Sequence, residues 1–306
     1  MKTILVATEK PFAAVAVEGI RKEVEAAGHR LVLLEKYTDR TQLLAAAAEA
    51  DAIIVRSDKI NEDVFAAAPN LKIVVRAGAG YDNIDLKAAT AANVVVENTP
   101  GQNSNAVAEL VFGMAVMAAR NMYAGTSGWE LKGKTIGIQA FGQVGRNVAR
   151  IAKGFGMEVS AVDPFCPEEV IAQAGVTPVK TVEELYRNNA VVSIHIPATP
   201  QTVGSIGFDL ITLMPKNGLL INTARKEVVD EAGLARALEA RPDLKYVADV
   251  KPDNAAELEE KFPGRVFFTP KKMGAQTAEA NINAGIAAAR QIVAYFTDGC
   301  DRFRVN

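Results

Sequence analysis

Apolar residues along the chain fall into two alternating patterns. Short continuous runs read as strands buried on both faces: Ile4-Leu5-Val6-Ala7, Leu31 to Leu34, Ala52-Ile53-Ile54-Val55, Ile73-Val74-Val75 and Val94-Val95-Val96. Stretches with helical spacing lie between them. Phe12, Ala16, Ile20, Val24 and Ala27 are closed by Gly28; Gln42 to Ala50, Glu62 to Ala68 (stopped by Pro69) and Leu86 to Ala92 follow. Asn98-Thr99-Pro100-Gly101 breaks this series. A long apolar helix is predicted from Ser104 to about Asn121, then a polar linker from Ala124 to Lys134 holding the only tryptophan, Trp129. A second series has strands over Thr135–Ala140, Glu158–Val162, Val191–Ile196, Leu219–Asn222, Tyr246–Val250 and Val266–Phe268. The last helix, about Thr277 to Phe296, is apolar on one face through Ile282, Ile286, Ala289, Ile292, Val293 and Phe296.

Two such series predict the α/β class, with two doubly wound parallel-sheet domains. The last helix comes after the second series has closed, so it is expected to return to the first domain. That makes a discontinuous substrate-binding domain, 1–98 and 277–306, a nucleotide-binding domain, 99–276, and a cleft between their sheets.

The bulk properties narrow the function. A chain of 306 residues suffices for two domains, and 49% of it is hydrophobic. Net charge is −2 with no basic or acidic block, which argues against nucleic acid or a membrane surface as partner. Cys166 and Cys300 lack disulfide or metal spacing, so no metal is expected and a reducing compartment is. The apolar run at the N-terminus is too short for a signal peptide, and Leu110 to Ala119 is too short to span a bilayer. The expectation is a soluble cytoplasmic protein.

The sharpest motif lies at the start of the second series. The strand from Thr135 runs into Ala140-Phe141-Gly142-Gln143-Val144-Gly145, then a helix with Val144, Val148, Ile151 and Ala152 on one side, then a strand ending in Asp163. Strand, glycine turn, helix, strand and acid form the context a dinucleotide fingerprint requires. Gly142 would admit a pyrophosphate to the helix N-terminus and Gly145 would let helix and strand pack closely. The first glycine of the fingerprint is Ala140, whose Cβ crowds a tight turn. Asp163, 23 positions after Ala140, is placed to accept a ribose 2′-OH, and its charge would repel a 2′-phosphate. Pro164 and Phe165 offer no cation to offset that, so the cofactor reading is NAD in a Rossmann-like domain.

Ligands of open α/β sheets lie beyond the carboxyl ends of the strands. The polar residues there are Arg56, Ser57, Lys59, Arg76 and the Ala77-Gly78-Ala79-Gly80 turn in the first series. In the second they are Asp163, His195 before Pro197, Thr223-Ala224-Arg225, Asp249 and Lys271-Lys272. So many cations suit a small anionic substrate. His195 reads as a packing or cofactor contact rather than a proton carrier, and His29 as a solvent-facing turn residue.

These stretches, in this order, resemble the NAD-dependent D-2-hydroxyacid dehydrogenases over nearly the whole chain. They are Val55-Arg56-Ser57, Arg76 to Asp85, Asn98-Thr99-Pro100, Asn103-Ser104 with Ala108-Glu109, the nucleotide turn, Ser193 to Pro197 with Thr199, Asn222 to Arg225, and Asp249-Val250. The resemblance implies a flavodoxin-like first domain, hydride transfer at C2 of a 2-hydroxy acid, and a homodimer built through the long helix and the segment around Trp129. It implies that Arg225 and the Ala77–Gly80 amides bind the substrate carboxylate and that Asp249 holds the nicotinamide carboxamide. His195, Pro197, Thr223 and Ala224 would line the cofactor. Arg56, Ser57 and Arg76 would bind the far end of a phosphorylated substrate. Members of the family that carry a serine-binding regulatory domain need more chain than remains here, so such feedback is not expected. An unphosphorylated 2-keto acid such as glyoxylate or hydroxypyruvate is the rival substrate, and a non-catalytic NAD sensor the rival class.

The chain departs from that family at its acid/base. The usual Thr-Pro-His-x-Gly-Ala is Thr269-Pro270-Lys271-Lys272-Met273-Gly274-Ala275. Counting from Thr269 puts Lys271 in the histidine's place; counting back from Gly274 puts Lys272 there, and the glycine turn favours Lys272. The glutamate that pairs with the histidine is Asn254 here, beside Asp253. The two losses are coherent, because a carboxylate would hold a lysine in its charged form. Neutralising an ordinary lysine at about pH 7.5 costs about 4 kcal/mol, a cost that burial and neighbouring cations reduce.

Overall fold

A computed structural model describes residues 1–306 as two compact units. The first comprises Met1–Asn103 and Gln276–Asn306; the second comprises Ser104–Ala275.

In the first unit β1 (Thr3–Thr8), α1 (Ala14–Ala26), β2 (Arg30–Glu35), α2 (Arg40–Ala47), β3 (Ala52–Val55), α3 (Glu62–Ala67), β4 (Ile73–Arg76), α4 (Leu86–Ala91) and β5 (Val95–Asn98) alternate. The strands form one parallel sheet ordered β2-β1-β3-β4-β5, the flavodoxin-like order. Side chains alternate across it. Ile4, Val6, Ile54 and Val75 pack with Ala16, Ile20 and Val24 of α1. Leu5, Ala7, Ile53 and Val74 pack with Leu43, Val64 and Ala89 from α2, α3 and α4. Both faces are covered, which is why these strands read as unbroken apolar runs.

In the second unit α5 (Ser104–Ala119) is followed by β6 (Thr135–Gln139), α6 (Gln143–Gly154), β7 (Glu158–Val162), α7 (Glu168–Gln173), β8 (Thr177–Pro178), α8 (Val182–Asn188), β9 (Val191–Ile194), α9 (Phe208–Ile211), β10 (Leu219–Asn222), α10 (Glu231–Ala240), β11 (Lys245–Ala248), α11 (Ala255–Lys261) and β12 (Val266–Phe268). The sheet order is β12-β11-β10-β9-β6-β7-β8, all parallel. Read from β6, this is the dinucleotide-binding order with one added edge strand, and it reverses between β6 and β9. The helix α12 (Ala278–Asp298), capped by the Thr277 hydroxyl and ended by left-handed Gly299, belongs to the first unit and packs through Ala284, Ala288 and Ile292 on the α1 side of its sheet.

Several sequence expectations need correction. β8 escapes the pattern because two residues, one a proline, form an edge strand with no periodicity. α5 stops at Ala119, and Asn121, Met122 and Tyr123 take left-handed backbone angles in a 3₁₀ turn. Sequence periodicity carries no signal for such a turn. His29 is not solvent-facing: both ring nitrogens are buried and the ring meets Phe296 edge-on at 5.8 Å. No helix is long and apolar enough to cross a membrane.

The C-terminal segment adds to the edge of the first sheet. Val305 donates to the Val96 carbonyl, Arg304 bridges Glu97 antiparallel, and Phe303 N–H donates to Glu97 Oε1 at 3.0 Å. Glu97 is 1% exposed and its Oε2 has no partner. Burial, reinforced by Asp301, holds its carboxyl above the ordinary carboxylate range. The folded state therefore binds that proton more tightly than the unfolded chain, so stability from this group is lost as pH rises through the folded value. Glu97→Gln is expected to raise the unfolding temperature at about pH 8 and to lose its advantage toward about pH 4, measured by calorimetry across pH.

Candidate active site

In the second unit the turn after β6 has the geometry of a phosphate cradle. Ala140 donates to the Val162 carbonyl and takes φ = +80°, the conformation for which glycine is the usual choice. Gly142 is the N-cap of α6. Its φ of −74° suits any residue, and a Cβ placed there would meet no atom within 4 Å. Nothing within the unit demands glycine there, so the requirement falls to a ligand that approaches the backbone. Gly145 differs: a Cβ there would lie 2.2 Å from the Ala140 carbonyl oxygen, so its absence is what lets α6 pack on β6. Gln143 is exposed and Val144 half-buried on the first turn of α6.

Asp163, just past β7, is tied to this turn. Oδ2 accepts the Phe141 N–H at 2.8 Å and Oδ1 the Phe165 N–H at 2.9 Å. The carboxylate is thereby aimed beside the glycine turn with lone pairs left for a diol. Sequence reasoning looked for cations only after Asp163 and missed Arg146, which α6 brings in. Its Nε donates to the Phe141 carbonyl at 3.1 Å, and its Nη2 lies 3.6 Å from Cys166 Sγ.

The ends of β9, β10 and β11 supply the remaining groups. His195 Nε2 lies 2.8 Å from Ser193 Oγ, and burial pushes the imidazole down to about 3. It is uncharged near neutrality, as a packing group would be. Pro197 is exposed beyond it. The buried Asn222 side chain staples the next loop: its oxygen accepts Ala224 N–H at 2.9 Å and its nitrogen donates to the Arg225 carbonyl at 2.9 Å. Asn222 was read from the sequence only as part of a motif. The Thr223 hydroxyl is buried without a partner, an orphan that a ligand would satisfy.

Two cations then meet at one carbonyl. Arg225 Nη1 donates to Ala224 O at 3.0 Å, and Lys272 Nζ reaches the same oxygen at 3.4 Å. Lys271 is exposed and its amine makes no hydrogen bond or ion pair. Asp253 is committed to Lys226 at 2.5 Å, and Asn254 to Glu231, whose carboxylate accepts its N–H at 3.1 Å. Asp249 is fully buried and its carboxylate faces the 269–274 segment: Oδ1 accepts Thr269 Oγ1 and Met273 N–H, Oδ2 accepts Gly274 N–H.

In the first unit Arg56 Nη1 donates to the carbonyls of Lys10 and Pro11 and Nη2 to Asn281 Oδ1. Arg76 Nε donates to the Arg56 carbonyl at 2.9 Å, and its guanidinium lies against Gly78. Ser57 is exposed. The buried Asp58, unmarked by any sequence pattern, pins this loop by accepting Glu9 N–H and Tyr37 Oη–H. The four amides of the Ala77–Gly80 turn are not equivalent. Ala77 donates to Val55 O and Gly78 to Arg76 O, which leaves the N–H groups of Ala79 and Gly80 open. Asn98 fixes the turn by donating to Ala79 O. No cluster of potential metal ligands occurs.

Gly142→Ala is expected to change stability by no more than about 0.5 kcal/mol while weakening dinucleotide binding at least about tenfold, read by thermal melts and calorimetric titration. His195 gives a second test. Its folded pKa lies below the unfolded value, so the unfolded chain binds more protons as pH falls from about 6.5 toward 3. Stability should fall over that window by up to about 1.4 kcal/mol per pH unit, and His195→Gln should flatten the slope in urea titrations.

A family model for the D-isomer specific 2-hydroxyacid dehydrogenase NAD binding domain matches residues 105–270. D-3-phosphoglycerate dehydrogenase of Methanocaldococcus jannaschii is 37% identical over 275 residues, 83% of this chain and 51% of that protein. The Sus scrofa enzyme of the same name is 33% identical over 290 residues, 89% of this chain and 54% of its own. The chain thus spans about half the length of the curated relatives it matches. The NAD+-bound 3-phosphoglycerate dehydrogenase of Entamoeba histolytica superposes with a TM-score of 0.88 at 48% identity, covering 100% of this chain and 98% of that one. D-lactate dehydrogenase of Escherichia coli, at 22% identity and a TM-score of 0.80, shares the fold. With the glycine turn, Asp163 and the Asn222–Arg225 loop in place, the chain belongs to the D-isomer-specific 2-hydroxyacid dehydrogenases, and its second unit is that family's NAD-binding domain.

Proposed function

We propose that the chain oxidises D-3-phosphoglycerate to 3-phosphohydroxypyruvate with NAD, the opening step of serine synthesis. The observation that carries the reading is the meeting of Lys272 Nζ and Arg225 Nη1 at the Ala224 carbonyl. It brings an amine able to take a proton beside a guanidinium able to bind a carboxylate and the C2 oxygen. The names of the relatives and of the Entamoeba histolytica structure support the substrate.

The groups that would hold NAD fit it. Gly142 leaves room at the N-terminus of α6, Gln143 and Val144 open that helix, Asp163 accepts the ribose hydroxyls, and the orphan Thr223 hydroxyl gains a partner. Bound NAD supplies the hydride acceptor. Arg225 and the open amides of Ala79 and Gly80 bind the substrate carboxylate. Lys272, as neutral amine, takes the C2 hydroxyl proton; in reverse its ammonium form returns that proton to the ketone oxygen. Lys271, whose amine makes no hydrogen bond or ion pair, is left without that role. Arg76, Arg56 and Ser57 bind the phosphate, with Met1–Asn103 and Gln276–Asn306 as the substrate-binding unit.

One observation favours an unphosphorylated 2-hydroxy acid instead. Arg56 is already held by two carbonyls and Asn281. Relative rates with 3-phosphoglycerate, hydroxypyruvate and glyoxylate decide, and Arg76→Ala should penalise only the phosphorylated substrate.

We also propose a cytoplasmic homodimer. Both cysteines are free, as a reducing compartment requires. Leu110, Val116 and Met117 leave apolar surface half-exposed on α5, and Trp129 follows that helix in sequence.

Lys272→Ala is expected to lower kcat by roughly 10²–10⁴-fold with NADH affinity retained, while Lys271→Ala stays near normal; initial rates and fluorescence titration give both. Full turnover in Lys272→Ala would reject the assignment.

A further inference from the structure

We infer that Asp249 is the positioning residue for Lys272: its buried carboxylate anchors the backbone around the lysine and so sets the amine on the Ala224 carbonyl. The inference rests on the reading of Lys272 as proton carrier and names what orients it.

The segment after β12, residues 269–275, forms no helix or strand. Only its first residue continues the ladder, Thr269 N–H donating to Ala248 O at 3.1 Å, so the rest of its shape depends on side chains. Asp249 meets it on both sides of Lys272. Before the lysine, Thr269 Oγ1 donates to Asp249 Oδ1 at 3.0 Å and to Asp249 O at 2.9 Å. After it, Met273 N–H donates to Oδ1 at 2.6 Å and Gly274 N–H to Oδ2 at 2.8 Å. Asp249 is 0% exposed. Three charge-assisted bonds inside a dry site are strong, and no water can replace the carboxylate.

The acceptor side is held by the neighbouring strand end. Asn222 fixes Ala224 N–H and the Arg225 carbonyl, and Asp249 N–H donates to Asn222 O. The amine and the carbonyl it reaches are thus both referred to the ends of β10 and β11, adjacent strands in register. The glycine two places after the lysine has a reason of its own. A Cβ on Gly274 would stand 3.0 Å from Asp249 Oδ2 and 3.2 Å from Val107 Cγ2, displacing the anchor. With Asn254 committed to Glu231, this anchor acts on the backbone that carries the lysine rather than on its amine.

The competing role for Asp249, holding the cofactor's carboxamide, is separable from this one. Asn at 249 keeps an oxygen that can accept from a carboxamide but sets an NH₂ against backbone N–H donors. In cofactor-free protein, trace acetylation by acetic anhydride with peptide mass spectrometry reads the reactivity of Lys272 relative to Lys271. Asp249→Asn should move that ratio toward one by at least about threefold, as the segment loosens. It should lower kcat about 10–100-fold, the scale of a misplaced catalytic group, with NADH affinity within about threefold. Thr269→Val removes one anchor with little change of shape and should shift the labelling in the same direction by less. An unchanged ratio in both variants, or lost NADH affinity with kcat retained, overturns the inference. If instead the ratio shifts while Lys272→Ala retains full turnover, the anchor stands and the proton-carrier reading fails.

Discussion

A parallel sheet covered by helices on both faces gives its polar side chains one way out, the carboxyl ends of the strands. Both units obey that constraint. Ile4 and Val6 point to one helical layer and Leu5 and Ala7 to the other, so the middles of the central strands are closed to solvent. Arg56 follows β3, Arg76 ends β4, and Asp163, His195 and Asp249 follow β7, β9 and β11. Arg225 follows β10 after a short loop. The chemistry is confined to strand ends because burial leaves no other place for it.

Within the second unit the ends of β10 and β11 do the finer positioning. Asn222 turns one strand end into a stapled loop, and Asp249 turns the next into an anchor for a segment without regular structure. Both are buried, and each satisfies backbone groups that would otherwise be left without partners. Arg225 and Lys272 are the long, adaptable side chains carried by that rigid base. A lysine in the position of an imidazole changes what the surroundings must provide. An imidazole gains from a carboxylate beside it, whereas an amine proposed to work without its charge would not. Asp253 and Asn254 are tied instead to Lys226 and Glu231.

The nucleotide turn divides its labour between fold and ligand. Gly145 serves the fold, since the Ala140 carbonyl leaves no room for a Cβ; Gly142 serves whatever approaches the helix N-terminus. Ala140 keeps the positive φ of the glycine it replaces, a strain of order 1–2 kcal/mol that the Val162 and Phe141 hydrogen bonds around it hold in place.

The strands and helices were legible in the sequence because burial on both faces writes itself as continuous apolar runs, and caps and glycines mark the ends. The two-residue β8 and the left-handed turn at Asn121–Tyr123 were not, since neither has a periodic signature. The strand-end rule found the candidate residues, but their partners could not be read. That Arg56 holds Lys10, Pro11 and Asn281, that Arg146 reaches Cys166, and that Lys272 rather than Lys271 meets Ala224 depend on residues up to 225 positions apart. Pattern and propensity are local and survive in the linear order of residues. Which hydrogen-bond donor reaches which acceptor is settled only when distant strand ends are brought side by side and water is driven out between them.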